Sequence, residues 1–486
     1  MGKLGYKGLL LLGGMMMLGG AAQAQYLRSS YFMEGTSARL QLNPGLQPTK
    51  GYFNMPIIGS FNMSASSNVL GTSDIIDLMD SGSDLYSNDK LFDRLKADNR
   101  LNVNLNTDIL SFGWYRGKGF WSVNVGLRAD FGAALAKDMF SMMRTMNGFA
   151  LEDVAGTNQS YSLSNQTLNM KAYAEIGLGY SRRITEKLTV GGRVKVLLGL
   201  ARAEMNINQF DLNLDVPNLR NYQDDASRGE LSPSDWYGKG YSYAADGNVI
   251  TTLKGGGMTF DNNGMIDNFD LDAGDLGIAG SGFGIDLGAS YKVWDNLTVS
   301  ASILDLGFLK WKESETTVAT VSGGDNVTIT PDNYDRYIGG DFLSFERFDF
   351  EEGSPEKVKT KTRLYSTLLL AGEYGLLNNK LSVGAMYTAR FAEPKTLNEL
   401  TFLATFRPKN WLNAAISYSP IQASGKSIGL AVKLGPLFVG TDYMFFGGNS
   451  KSVNGFLGIS FPLGGKAKPF SELCNHSIFR HDNFIG

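Results

Sequence analysis

LSVGAMYTARF, residues 381–391, decides how this chain is to be read. Leu381, Val383, Ala385, Tyr387, Ala389 and Phe391 alternate with Ser382, Gly384, Met386, Thr388 and Arg390. A period of two sustained over the stretch is that of a β-strand with one apolar face and one wet face. A soluble sandwich turns the apolar face inward. A membrane barrel turns it outward to lipid and keeps water inside.

The same alternation recurs in fourteen segments, near 57–66, 101–114, 119–132, 167–181, 188–206, 283–294, 297–310, 362–374, 380–391, 399–407, 410–419, 426–434, 437–446 and 453–461. Trp121 to Phe131 and Leu168 to Leu178 alternate as cleanly as the opening stretch. The segments 188–206 and 297–310 change phase midway, which predicts a bulge or an extension past the membrane. Every second connection is a tight turn: Arg116-Gly117-Lys118-Gly119, Arg182 to Lys187, Asp295-Asn296, Gly375 to Asn379, Pro408-Lys409 and Gly435-Pro436. Gly, Asn and Pro supply the backbone geometry that such turns need. The connections 67–100, 133–166, 207–282 and 311–361 are long, and 392–398, 420–425 and 447–452 are short. An even strand number, with tight turns on one side and long loops on the other, predicts an all-β fold. It is a transmembrane antiparallel barrel of about fourteen strands in a bacterial outer membrane. Trp114, Tyr115, Phe120, Trp121, Tyr180, Tyr291, Trp294, Tyr374, Phe406, Trp411, Phe438 and Phe461 cluster at the tight-turn end, as an interfacial girdle would.

Composition agrees. Glycine accounts for 59 of 486 residues and aromatics for 12%, which suits closely approaching strands. Residues 1–24 read as a cleaved export signal. Lys3 and Lys7 precede an apolar run, and Ala22-Gln23-Ala24 is a small-x-small site. The formal charge of −3 becomes −5 when the two signal lysines are removed, so a nucleic-acid partner is not expected. Cys474, His476 and His481 are the only cysteine and histidines. They fall in a tail, 464–486, whose abrupt change of composition is that of a disordered periplasmic extension or of an aberrant reading-frame end. No metal site, no cofactor and no catalytic residue is expected. Outer-membrane hydrolases generally use a histidine base, and none precedes His476. The acidic cluster Asp267, Asp270, Asp272 and Asp275 lacks EF-hand spacing and reads as a solvated loop.

With the apolar face outward, Arg128, Asp130, Lys171, Glu175, Arg193, Lys195, Asp286, Lys292, Arg390 and Lys433 point into the lumen. Both signs occur, so mutual pairing is the expectation. A barrel of this size needs further filling. Residues 25–55, which precede the first strand and carry the turn-forming Asn43-Pro44-Gly45, are the candidate plug. That layout resembles the FadL-type long-chain fatty-acid transporters, whose N-terminal segment folds inside the barrel as a hatch. Gly45 stands where those transporters usually have alanine. Leu27 to Met33 followed by Leu42-Asn43-Pro44 is similar to an uncharacterised outer-membrane family of Bacteroidota. The run Asn296 to Trp311 resembles strands of that group and of PorV-like secretion barrels.

The resemblance implies a barrel, 56–463, surrounded by outer-membrane lipid and passing small hydrophobic or amphipathic solutes, with residues 25–55 as the gate at Asn43, Pro44 and Gly45. The alternative is a structural or secretion-associated barrel. Its long extracellular loops would hold a protein partner.

Overall fold

The structure, a computed structural model, describes residues 28–33, 37–56, 58–69, 71, 74, 89–145, 154–218, 232–262, 264–272, 274–334, 350–393, 395–409, 411–422, 426–442 and 452–466. The expected export signal, residues 1–24, and Cys474, His476 and His481 lie outside these residues.

Alternation does what the sequence requires of it. In the strand Leu381–Arg390, Val383 and Tyr387 are 44% and 38% exposed, whereas Ser382 and Met386 are each 1% exposed. The large apolar residues therefore stand on the outside and the polar or slender ones inside. Such an outer surface is stable only against hydrocarbon. Neighbouring strands are antiparallel throughout the wall. It closes where Ser452–Lys466 pairs with Lys50–Asn54 and Phe61–Ser67, which in turn pair with Asp98–Arg116. The result is a closed antiparallel barrel of 14 strands, with no free edge in the bilayer.

Three expectations change. First, Lys50–Asn54 belongs to the wall rather than to the N-terminal segment. It forms a broken first strand with Phe61–Ser67. Five residues ahead of Pro56 are too few to display a period. Second, Phe120 and Phe438 are buried inside the barrel, and Tyr115 turns inward to donate to the Pro48 carbonyl. Each follows or precedes an outward residue (Trp114, Trp121, Leu437), and adjacent side chains on a strand cannot share a face. The remaining outward rings, including Tyr180, Tyr291, Trp294, Tyr374, Phe406, Trp411 and Phe461, are exposed at the tight-turn end.

Third, three of the long connections contribute strands to the sheet. Asn158–Arg183 and Leu188–Asp215 are 26 and 28 residues long, against the ~9–11 that span a bilayer. Their excess pairs mutually, and Leu188–Asp215 goes on to pair with Gly240–Leu253, which pairs with Thr316–Thr328. One face of this extension forms an apolar core of Phe210, Leu212, Leu214, Tyr241, Tyr243 and Val321. Met142 of the helix Lys137–Thr145 packs there, as does Met258 of the hairpin Gly256–Phe260/Ile266–Leu271.

The phase changes are bulges. Leu200 is the extra residue between Gly199 and Ala201 opposite Tyr173 and Ala172. In Leu297–Trp311 the pairing slips around Leu304 and Asp305, and Asp305 adopts φ 58°.

Candidate functional site in the barrel lumen

Residues 28–33 and 37–49 lie against the inward side chains of the wall. Two short helices, Arg28–Tyr31 and Ser37–Leu42, lead into the Asn43-Pro44-Gly45 turn. Asn43 Oδ1 accepts from Gly45 N at 2.8 Å, which shapes the turn. The Asn43 amide nitrogen donates to the carbonyls of Ala289 and Ala301, at 3.3 and 3.2 Å, and to the Tyr31 hydroxyl at 3.0 Å. The Tyr31 hydroxyl also meets Ser300 Oγ at 2.8 Å. Burial pushes this phenol up, partly offset by those hydrogen bonds. It therefore stays protonated and able to donate. Ser290 and Ser302 donate to the carbonyls of Gly45 and Leu42, at 2.9 and 2.7 Å. Glycines make this approach possible. A Cβ on Gly191 would collide with the Pro44 carbonyl, one on Gly288 with the Asn43 side chain, and one on Gly45 would lie 2.7 Å from Ala289 Cα.

The lumen has two chemically distinct arcs. Along the strands from Leu297 to Lys466, the apolar inward residues Leu304, Leu369, Met386, Leu403, Phe438 and Phe456 enclose Tyr31, Phe32 and Met33. Many of their polar neighbours are small serines and threonines, and Phe32 lies 3.0 Å from where a Cβ on Gly384 would be. Glu373 ties the segment to this arc. It pairs with Arg407 at 2.8 Å and with Arg39 of the segment at 3.6 Å, and Arg407 donates to the Phe32 carbonyl at 3.3 Å.

The other arc holds most of the paired charges. Lys195 lies 2.9 Å from Asp286, 2.6 Å from Asp305 and 3.8 Å from Glu175. Arg128 reaches Glu175 at 2.6 Å and Asp108 at 3.3 Å, while Arg193 reaches Asp286 at 3.4 Å and donates to the Leu40 carbonyl at 3.2 Å. Arg390 crosses to Asp130 at 2.6 Å, which also accepts from Asn104. Lys171 donates to the Arg363 carbonyl and sits 3.2 Å from the centre of the Tyr365 ring. Pairing of this kind offsets the desolvation that each buried ion incurs. Lys433 is buried on the apolar arc, in register with Asn413 and Phe438. Lys292 is exposed beside the Asp295-Asn296 turn and joins no part of the network.

Sequence reading missed Asp108, Asp305, Glu373, Arg39 and Arg407. Asp108 was detectable, because it continues the even phase of Asn102, Asn104 and Asn106. Asp305 was not, because the bulge moves it off the period.

Between Gln41 and Leu42 of the segment and Tyr365 of the wall remains a polar cavity of about 60 Å³, bordered by the charged arc. A shallow apolar depression of about 550 Å³ lies on the outer wall among Tyr291, Val299, Leu370 and Tyr387, facing the lipid.

Among solved structures, the toluene transporter TodX of Pseudomonas putida is 12% identical. The match covers 91% of this chain and 94% of that chain at a TM-score of 0.38. The toluene transporter TbuX of Ralstonia pickettii is 12% identical, with 90% and 98% covered at a TM-score of 0.41. The translocator domain of the autotransporter NalP from Neisseria meningitidis is 8% identical, with 90% and 100% covered at a TM-score of 0.26. No curated protein matches. Residues 44–442 match the family model described as "Family of unknown function (DUF5723)", and the chain belongs to that family.

Proposed function

We propose that this protein is an outer-membrane channel for small solutes in which residues 25–49 act as a hatch. One observation carries the reading. Among the described residues the segment lies against the inner wall and is attached to it by hydrogen bonds, the Arg39–Glu373 ion pair and apolar contacts, with no strand pairing before Lys50. A purely structural filler is more economically built from large inward side chains, whereas here the wall is thinned with glycine and serine to receive a removable piece. Amphipathic solutes suit the divided lumen better than pure hydrocarbons. In proteoliposomes the intact chain should pass small solutes slowly, and a chain lacking residues 25–49 should pass them several-fold faster. No flux from either protein refutes the channel.

A second reading has its own support. The extension beyond the barrel has a core of its own, as a surface that holds a protein partner would. Stable co-purification with one partner, lost on removal of the hairpin Gly256–Phe260/Ile266–Leu271, would favour that reading.

A further inference from the structure

Phe283 and Phe308 stand opposite each other on the outer wall, toward the end that carries the long connections. From Leu297, beside the Asp295-Asn296 turn, to Phe308 the strand rises roughly 25 Å at ~3.3 Å per residue and ~40° of tilt. That is the height of the apolar band of an outer-membrane barrel, so Phe308 marks its edge at the outer leaflet. The next outward positions are cationic. Lys310 is in register with Lys361, and Phe308 with Arg363, of the short strand Lys361–Arg363. Trp311 and Thr362, which alternate with them, hydrogen-bond to each other on the inner side. Lys310, Lys361 and Arg363 are all exposed.

Like charges directly opposite on a sheet destabilise it, and no acid relieves this pair. Among the described residues no carboxylate forms an ion pair with any of the three cations, Glu313 and Glu356 included. Lys361 does not turn away from the membrane. Its ammonium sits 3.7 Å from the centre of the Phe308 ring, one row nearer the hydrocarbon than its register partner Lys310. Lysines at a membrane boundary ordinarily reach outward to water. Here one leans to the level of the headgroups.

We infer that this outward cluster binds a phosphorylated lipid headgroup of the outer leaflet. The phosphate lies among Lys310, Lys361 and Arg363, and the acyl chains run down the wall over Leu306 and Val196, which are 40% and 53% exposed. Phosphate matches Lys and Arg as a charge and as a hydrogen-bond acceptor. A soluble phosphate or an acidic peptide would use the cations and leave the apolar wall beneath them unused, so a lipid is the occupant that meets both. Each Lys or Arg at an anionic membrane surface contributes about fivefold in binding. The site is on the outside of the wall, so it stands apart from the hatch and from whether the barrel conducts.

The test titrates the intact chain, in nonionic detergent, with lipid A and reads retention of a single lipid by native mass spectrometry. Dephosphorylated lipid A should bind on the order of a hundredfold more weakly. So should lipid A on a chain carrying Lys310→Gln, Lys361→Gln and Arg363→Gln together, its folding checked by heat-modifiable migration. If that triple variant fails to insert, Lys310→Gln alone should weaken binding about fivefold. A stability readout separates binding from a general effect on the sheet. In phosphatidylcholine vesicles Lys310→Gln should withstand denaturant at least as well as the unchanged protein, because a repulsion has gone. With lipid A added it should become the less stable of the two. Equal binding of both forms of lipid A, binding of inorganic phosphate or polyglutamate as tight as that of lipid A, or equal stabilisation of Lys310→Gln and the unchanged protein by lipid A would overturn the site.

Discussion

Gly288 on the barrel wall has no room for a side chain, because the Asn43 amide of the N-terminal segment occupies that space. The contact is between an inward wall position and the Asn43-Pro44-Gly45 turn of the N-terminal segment. Gly288→Val should therefore displace the segment without disturbing strand pairing, since β-branched residues suit strands. The expected result is a several-fold higher solute flux and faster proteolysis within residues 25–49, with unchanged heat-modifiable migration of the barrel.

Glu373 is the shared counterion of Arg39 and Arg407, at 3.6 and 2.8 Å, in surroundings that leave its side chain 10% exposed. Glu373→Gln leaves two largely buried cations facing each other. Removing one partner from a buried pair costs about 3 kcal/mol. Denaturant unfolding should show a loss of that order, and the segment should become more sensitive to protease.

Val194 is 46% exposed on the outer wall and its neighbour Lys195 is buried inside. Val194→Arg should lower the stability of the inserted barrel by ~2–4 kcal/mol, the cost of arginine near the bilayer midplane. The same charge at Lys195 (Lys195→Arg) should be far better tolerated. Folding titrations into lipid vesicles measure both.

Leu212 is fully buried in the core of the extension. Leu212→Ala should cost ~2–5 kcal/mol of local stability. Hydrogen exchange should rise in Asn158–Arg183 beyond the barrel and in Gly240–Leu253, while Leu381–Arg390 stays protected. Equal loss in all three would mean that barrel and extension unfold as one unit.

LSVGAMYTARF disclosed the fold because lipid and lumen impose opposite demands on successive residues, and the same logic placed Arg128, Glu175, Arg193, Lys195 and Asp286 on one inner face. It was applied too loosely to aromatics. Phe120 and Phe438 each adjoin an outward residue, so the period itself assigned them inward. Local rules failed where the third dimension intervenes. Nothing in the alternation of Phe210, Leu212 and Leu214 with Asp211, Asn213 and Asp215 says whether a strand ends at the membrane or runs past it. The bulge at Asp305 hid a member of the charged arc. The Arg39–Glu373–Arg407 bridge joins residues more than 300 positions apart, and no spacing rule reaches that far.

The central claim is that the N-terminal segment leaves its seat for solute to pass. Ser29 Oγ of the segment and Ser417 Oγ of the wall lie 3.2 Å apart, within reach of a disulfide once both are cysteine. In a Ser29→Cys/Ser417→Cys chain that also carries Cys474→Ser, solute flux should fall several-fold on oxidation and recover on reduction. Equal flux in the oxidised and reduced protein would contradict the account.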